Sequence, residues 1–159
     1  MSLVLLRVDE RLIHGQVVVS WGHELRPGRF IVVDDELADS SWEQDLYRLG
    51  AGDAEVVFAD VDRAREALDV WRSDTTPSVL LTRDVATMRR LSGDGALAGE
   101  HVNLGGLHPA SGRREVLGYL HLSPQDVEDL TQLARDGVEV SARDVPDAPD
   151  VPLATLLGR

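Results

Sequence analysis

The apolar positions fall into short continuous runs separated by longer stretches with helical spacing. Leu3-Val4-Leu5-Leu6 opens the chain and predicts a strand over about Leu3–Val8. A helix follows from about Gly15 to Leu25, closed by Pro27-Gly28. Phe30-Ile31-Val32-Val33 is apolar throughout, the mark of a strand buried on both faces, and it ends in Asp34-Asp35-Glu36. Ser40 or Ser41 could cap a second helix through Leu49, stopped by Gly50-Ala51-Gly52. Glu55-Val56-Val57-Phe58 reads as a third strand. Asp60 then starts a helix to about Trp71, with Ala64, Ala67, Leu68 and Trp71 on one stripe. After Pro77, Ser78–Thr82 reads as strand four, and Asp84 caps a helix to about Leu91. Past the Gly93-Asp94-Gly95 loop, His101–Leu104 is a short strand ending in Gly105-Gly106. Val116–Leu122 is strand-like. Ser123-Pro124 opens a helix to about Arg135, ended by Gly137, and Val138–Ala142 alternates as a late strand. Pro146, Pro149 and Pro152 mark an extended tail from about residue 144, with Leu153, Leu156 and Leu157 available for docking. Strand and helix alternate almost throughout. The expected fold is therefore α/β, an open, mostly parallel twisted sheet of about six or seven strands with helices on both faces, in one domain over residues 1–159.

Composition narrows the function. The formal net charge of −12 argues against nucleic acid and against anionic membrane surfaces. Without cysteine there is neither a disulfide framework nor a thiolate metal site. The first apolar run is too short for a signal peptide and no run is long enough to span a bilayer, so a cytoplasmic setting is expected. Neither a GxxxxGK[ST] loop nor a GxGxxG fingerprint is present.

The chemistry concentrates after the first strand. Arg7 to His14 holds two arginines, two carboxylates and one histidine. In an open α/β sheet ligands sit beyond the carboxyl ends of the strands, and this loop lies there. The helix beginning at Gly15 and Gln16 would aim free amides and a positive dipole end at the same point, making an anion site that Arg7 or Arg11 could complete. His14 is either a nucleophile or proton-transfer group beside that cradle, or a surface histidine at a helix start. Asp9 could hold one ring nitrogen of His14 and leave the other to react. The bland alternative for both arginines is an ion pair with Asp9 or Glu10. Gly15 would let the backbone approach whatever His14 holds. A wider rim comprises Asp34, Asp35, Thr82, Arg83, Gly105, Gly106 and His108. Asp34-Asp35 could bind Mg²⁺, but capping of the next helix is the favoured reading. Gly105-Gly106 could let the backbone approach a ligand or be an ordinary turn. His23 and His101 fall within elements, and His121 alternates with apolar neighbours as a sheet-face residue.

Arg7-Val8-Asp9-Glu10-Arg11-Leu12-Ile13-His14-Gly15-Gln16-Val17 resembles the IIB component of the mannose/fructose/sorbose family of the bacterial sugar phosphotransferase system. Val32–Ala38, Val102–His108, Leu122–Asp126 and Gly137–Val140 resemble further blocks of that family in the same order, while residues 50–76 and 92–100 match only in outline. Glu10 stands where many relatives have Asp. The resemblance implies a phosphocarrier. A IIA partner would phosphorylate His14, which would pass the group to a sugar held by the membrane components IIC and IID. It implies Arg11, with the amides near Gly15 and Gln16, as the phosphate-holding loop. It implies neither cofactor nor metal, and a cytoplasmic protein peripherally associated with the transporter. Two other readings stand beside it. One is a phosphorylation-dependent regulatory or binding module without a transporter. The other is a metal-dependent hydrolase using Asp34, Asp35 and His14.

Overall fold

The computed structural model describes residues 2–158. Among the described residues, nine strands alternate with six α-helices. Strands β1 (Leu3–Val8), β2 (Arg29–Val33), β3 (Glu55–Ala59), β4 (Ser78–Thr82), β5 (His101–Leu104), β8 (Glu139–Ala142) and β9 (Val151–Pro152) form one seven-stranded sheet in the order β3-β2-β4-β1-β5-β8-β9. All neighbours run parallel except β9, which pairs antiparallel with β8. The expected α/β architecture is therefore the observed one.

Each buried strand sends alternate residues to opposite faces, and each face has its own core. Leu6, Val8, Ile31, Val33, Leu80, Val102 and Leu104 pack under helices α3 (Val61–Ser73), α4 (Val85–Ser92), α5 (Pro124–Arg135) and α6 (Leu153–Leu156). Phe30, Val32, Val79 and Leu81 face the other way, toward Leu12, Ile13, Val17 and the helix α2 (Ser41–Gly50). Three helix starts follow the capping logic of the sequence, while at α2 Ser40 holds the cap position without the expected side-chain bond. The side chains of Asp60, Asp84 and Ser123 accept from the amides of Arg63, Thr87 and Asp126, and Asp126 returns the bond in a capping box.

Three expectations need correction. The first crossover segment is not a regular α-helix. It opens as a π-helix, Gln16–Trp21, in which the Gly22 amide reaches back to the Val17 carbonyl, and only Gly22–Leu25 (α1) is α-helical. It ends at Arg26, which takes the left-handed conformation one residue before the Pro27-Gly28 stop. Val116–Leu122 is not one strand but part of a hairpin, β6 (Arg114–Leu117) and β7 (Leu120–Leu122), turned at Gly118-Tyr119 and separate from the main sheet. The tail is not simply extended: it adds β9 to the sheet edge and ends in α6, docked through buried Leu156.

β1 is the central strand, flanked by β4 and β5. The chain leaves β1 toward β2 on one side, then crosses from β4 to β5 on the other. The carboxyl end of β1 is thus the point where strand order reverses, where an open α/β sheet forms its crevice. Backbone bonds hold that end on both sides: the Asp9 amide donates to Thr82 O (2.9 Å), and the Glu10 amide to Gly106 O (2.9 Å).

Candidate functional site

Strand alternation sets the site. Leu6 and Val8 enter the core beneath α3–α5, so Arg7 between them points to the π-helix side. Its guanidinium is fully buried and fully engaged. Nε and Nη2 donate to Asp9 Oδ2 (3.3 and 3.2 Å). Nη1 donates to the side-chain oxygen of Asn103 and to the Arg143 carbonyl (2.7 Å), and Nη2 also donates to the Asp144 carbonyl (2.9 Å). The Trp21 ring covers it at 5.4 Å, and Trp21 Nε1 donates to the same Asp144 carbonyl. The expectation that Arg7 could clamp a phosphate gives way to an internal role. Every donor group already has a protein acceptor, and no part of the side chain meets solvent.

That role is to hold Asp9, which is also wholly buried. Oδ1 accepts from the Arg11 amide (3.1 Å), two residues on, and the Leu12 amide closes a turn onto the Asp9 carbonyl (2.9 Å). Leu12 then adopts φ 57°. A left-handed leucine costs about 1–2 kcal/mol, but burying that side chain completely returns roughly 1.5–3 kcal/mol, so the turn is held by its apolar anchor. The turn swings the chain back so that His14 lies over Asp9. His14 Nε2 is buried and lies 3.1 Å from Asp9 Oδ2, an ion-pair distance at which the N–H direction falls short of a formed hydrogen bond. Nε2 is therefore the inward nitrogen, and Nδ1 is the one left to the outside. Burial alone would raise the Asp9 carboxyl, but His14 and the Arg7 guanidinium outweigh it and hold Asp9 at about 2, against 3.8 ordinarily.

The anion cradle lies beside this ring. The first amide to close onto the helix is Val18, which donates to His14 O (2.9 Å), so the amides of Gly15, Gln16 and Val17 precede the helical ladder. Gly15 has ordinary helical dihedrals, and a Cβ there would meet nothing within 4 Å. The space its missing side chain leaves is open on the outside of the molecule. Arg11 stands at the edge, with its side chain 40% exposed, Nη2 donating to Gln16 Oε1 (2.9 Å) and Nε 3.6 Å from Asp9 Oδ1. It is the solvent-accessible cation that Arg7 is not.

The glycine pair after β5 serves the arginines. A Cβ on Gly105 would lie 2.3–2.6 Å from the Arg7 guanidinium, and one on Gly106 would lie 3.3 Å from Arg11 Nη2. Neither an ordinary turn nor approach to a ligand accounts for Gly105; close passage of Arg7 does. The next residues tie down the loop's outer side. The His108 amide donates to Glu10 Oε2 (3.0 Å), and His108 Nδ1 lies 2.7 Å from the same oxygen. Arg113 Nη1 donates to Glu10 Oε1 (3.0 Å) and to the His108 carbonyl (2.8 Å). Burial opposes but does not prevent a lowered Glu10 pKa, because the His108 amide and Arg113 favour the carboxylate.

The outer rim residues are occupied structurally. Asp34 caps the short turn Leu37–Asp39 through the Leu37 amide (2.9 Å) and receives Arg83 Nε (2.8 Å). Asp35 accepts from the Val61 amide (3.0 Å) and Arg90 (2.9 Å), which together lower its pKa. Thr82 Oγ1 donates to the Asp84 carbonyl. The pair does not cap the next helix, α2, as expected: Asp34 holds the turn at Leu37 and Asp35 holds the first amide of α3, each with an arginine. His101 contacts Ser141, His121 Nδ1 lies 3.0 Å from the Leu107 carbonyl, and His23 is exposed on its helix. Sequence reasoning missed Asn103, Trp21, Arg113 and the carbonyls of Arg143 and Asp144. Of these only Asn103 carried a signal, a polar residue between Val102 and Leu104 in a short apolar strand.

Comparison with known proteins supplies the family. The family model for the PTS system sorbose subfamily IIB component matches residues 3–159. The PTS system sorbose-specific EIIB component of Klebsiella pneumoniae is 30% identical over 157 residues, covering 95% of this chain and 92% of that protein. The N-acetylgalactosamine-specific phosphotransferase enzyme IIB component 1 of Escherichia coli is 28% identical over 150 residues, covering 91% and 92%. The crystal structure of manxB from Thermoanaerobacter tengcongensis superposes with a TM-score of 0.85 at 29% identity, covering 99% of this chain and 95% of that one. With a match running from β1 to the end of the chain, and with the same fold, this protein belongs to the sorbose subfamily of IIB components of the sugar phosphotransferase system.

Proposed function

We propose that His14 is the phosphoryl acceptor and donor of this IIB component, taking the group from a IIA protein and passing it to a sugar held by IIC and IID membrane components. The observation that carries the reading is the orientation of one ring: Nε2 is buried 3.1 Å from Asp9 Oδ2, which leaves Nδ1 for chemistry. In the first step the Nδ1 lone pair attacks phosphorus and the N–P bond to the donor histidine breaks. The ring gains positive charge, which the Asp9 carboxylate opposite Nε2–H offsets. In the second step a sugar hydroxyl attacks, the Nδ1–P bond breaks, the hydroxyl proton leaves to solvent or a base, and His14 returns neutral. Phosphoryl transfer of this kind needs placement and charge stabilisation more than covalent assistance. The amides of Gly15, Gln16 and Val17 with Arg11 supply the latter. Arg7 works one layer below by fixing Asp9. The protein would act in the cytoplasm, at the inner face of the transporter.

The test is incubation with phosphoenolpyruvate, the general carriers and the cognate IIA, followed by intact mass. The expected result is one phosphoryl group per chain, acid-labile and base-stable, and none on His14→Gln. Label retained by His14→Gln, or stable to acid, sinks the assignment.

A further inference from the structure

Helix α2 carries an apolar stripe that no described residue covers. Trp42 is 67% exposed, Leu46 59% and Leu49 82%, and α2 has no buried residue of its own. At 100° per residue the three positions share one narrow arc. They include the one exposed tryptophan among the large apolar side chains left in solvent. Isolated exposed leucines need no explanation, but an aromatic and two leucines aligned on one helix face do.

The C-terminal end of the stripe lies beside the site loop. Gly50, in the last turn of α2, is the i+4 neighbour of Leu46, and a Cβ there would lie 3.9 Å from Ile13 Cγ2. The side of α2 bearing Leu46 therefore backs onto the residue next to His14. A partner of ordinary interface size, about 800 Å² per side, centred on His14 would reach it. The segment that carries the stripe is acidic: residues 36–53 hold Glu36, Asp39, Glu43, Asp45 and Asp53 against the single basic residue Arg48, in a chain of net charge −12. Arg48 lies over the Phe58 ring at 5.1 Å and pairs with Asp45 at 3.5 Å, so the other four carboxylates set the charge of this segment. An apolar centre with an acidic rim repels an anionic lipid surface. It complements protein loops rich in Lys and Arg, the composition that the cytoplasmic side of polytopic membrane proteins carries.

We propose that the α2 stripe of Trp42, Leu46 and Leu49 is the docking face for the basic cytoplasmic loops of the membrane transporter components. The proposal rests on the phosphocarrier reading above. Docking there buries the apolar stripe beside the His14 contact, with Trp42 as its anchor. The carboxylates steer encounter and make it salt-dependent, and His14 is left facing the bound sugar.

The experiment compares the full chain with Trp42→Gln/Leu46→Gln/Leu49→Gln, whose positions are exposed and whose new residue is a good helix former. Binding is measured to nanodiscs carrying purified IIC and IID and to empty nanodiscs of the same lipid, and labelling by phosphorylated IIA is timed in parallel. The expected result is binding at least tenfold weaker with labelling at the wild-type rate. Glu43→Lys/Asp45→Lys, which leaves the stripe intact, should weaken binding and flatten its salt dependence. Unchanged affinity of the stripe variant for the loaded nanodiscs overturns the proposal. So does any slowing of labelling, which gives the face to IIA. A wild-type dimer that the variant dissolves gives it to a second copy, and equal wild-type binding to empty nanodiscs gives it to lipid. A wild-type chain that takes no label at all fails a different claim, that of the carrier.

Discussion

Asp9 and His14, five residues apart, meet with Oδ2 3.1 Å from Nε2 because a tight turn at Leu12 folds the loop back over the end of β1. The contact fixes which imidazole nitrogen is outside. Asp9→Asn keeps the size of the side chain and removes its charge. It should slow labelling of His14 by at least about tenfold, less than the roughly 10²–10⁴-fold of a group that itself moves the proton. It should also cost roughly 3 kcal/mol in urea unfolding, since Arg7 loses its buried counter-charge. Labelling at the wild-type rate would reduce Asp9 to a structural residue.

Asp9 also predicts acid sensitivity. Its folded value is about 2 and its ordinary value 3.8. Between them the unfolded chain binds a proton that the folded chain does not. The stabilisation is therefore complete above about pH 4 and is lost as pH falls through about 2. The gap corresponds to about 2 kcal/mol. Urea unfolding from about pH 5 to pH 2 should show that loss as a difference between the wild type and Asp9→Asn. Parallel pH curves for the two would count against it.

Gly105 and Gly15 should respond oppositely to alanine. A Cβ on Gly105 strikes the Arg7 guanidinium, which is held by Asp9, Asn103 and two carbonyls and has nowhere to swing. Gly105→Ala should destabilise by about 1–3 kcal/mol and slow labelling through Asp9. Gly15→Ala meets open space in a helical conformation, so thermal unfolding should be unchanged or shifted upward by at most about 1 kcal/mol of stability. Its effect should fall on transfer, where the new methyl obstructs the phosphoryl group.

Arg11→Ala should leave the unfolding curve in place, because the side chain is partly solvated and 3.6 Å from its carboxylate. Labelling should slow markedly. Arginine contacts reach roughly 10³-fold or more in GTPases, an upper guide for this smaller cradle. Rapid-quench timing of phosphoryl transfer measures it, and an unchanged rate would make Arg11 a surface charge.

Local chemistry was legible in the sequence wherever it depends on neighbours along the chain. The caps at Asp60, Asp84 and Ser123, the alternation of strand and helix, and the placing of His14 with Arg11 at the end of β1 all follow from short-range stereochemistry and hydrophobic period. Tertiary structure decided what each charge faces. Arg7 and Arg11 are the same residue type four positions apart, yet one is sealed beneath Trp21 and the other stands at the surface. The difference lies in the register of β1 with β5, which sets Arg7 beside Asn103, and in the return of the chain at Arg143 and Asp144, more than 130 residues away. The Glu10–His108–Arg113 cluster and the use of Gly105 as clearance for a guanidinium likewise depend on contacts distant in sequence. A strand buried on both faces reads as uniformly apolar, so its pattern cannot say which face a lone charge will enter. Only the assembled sheet supplies the acceptors that let Arg7 and Asp9 stay there.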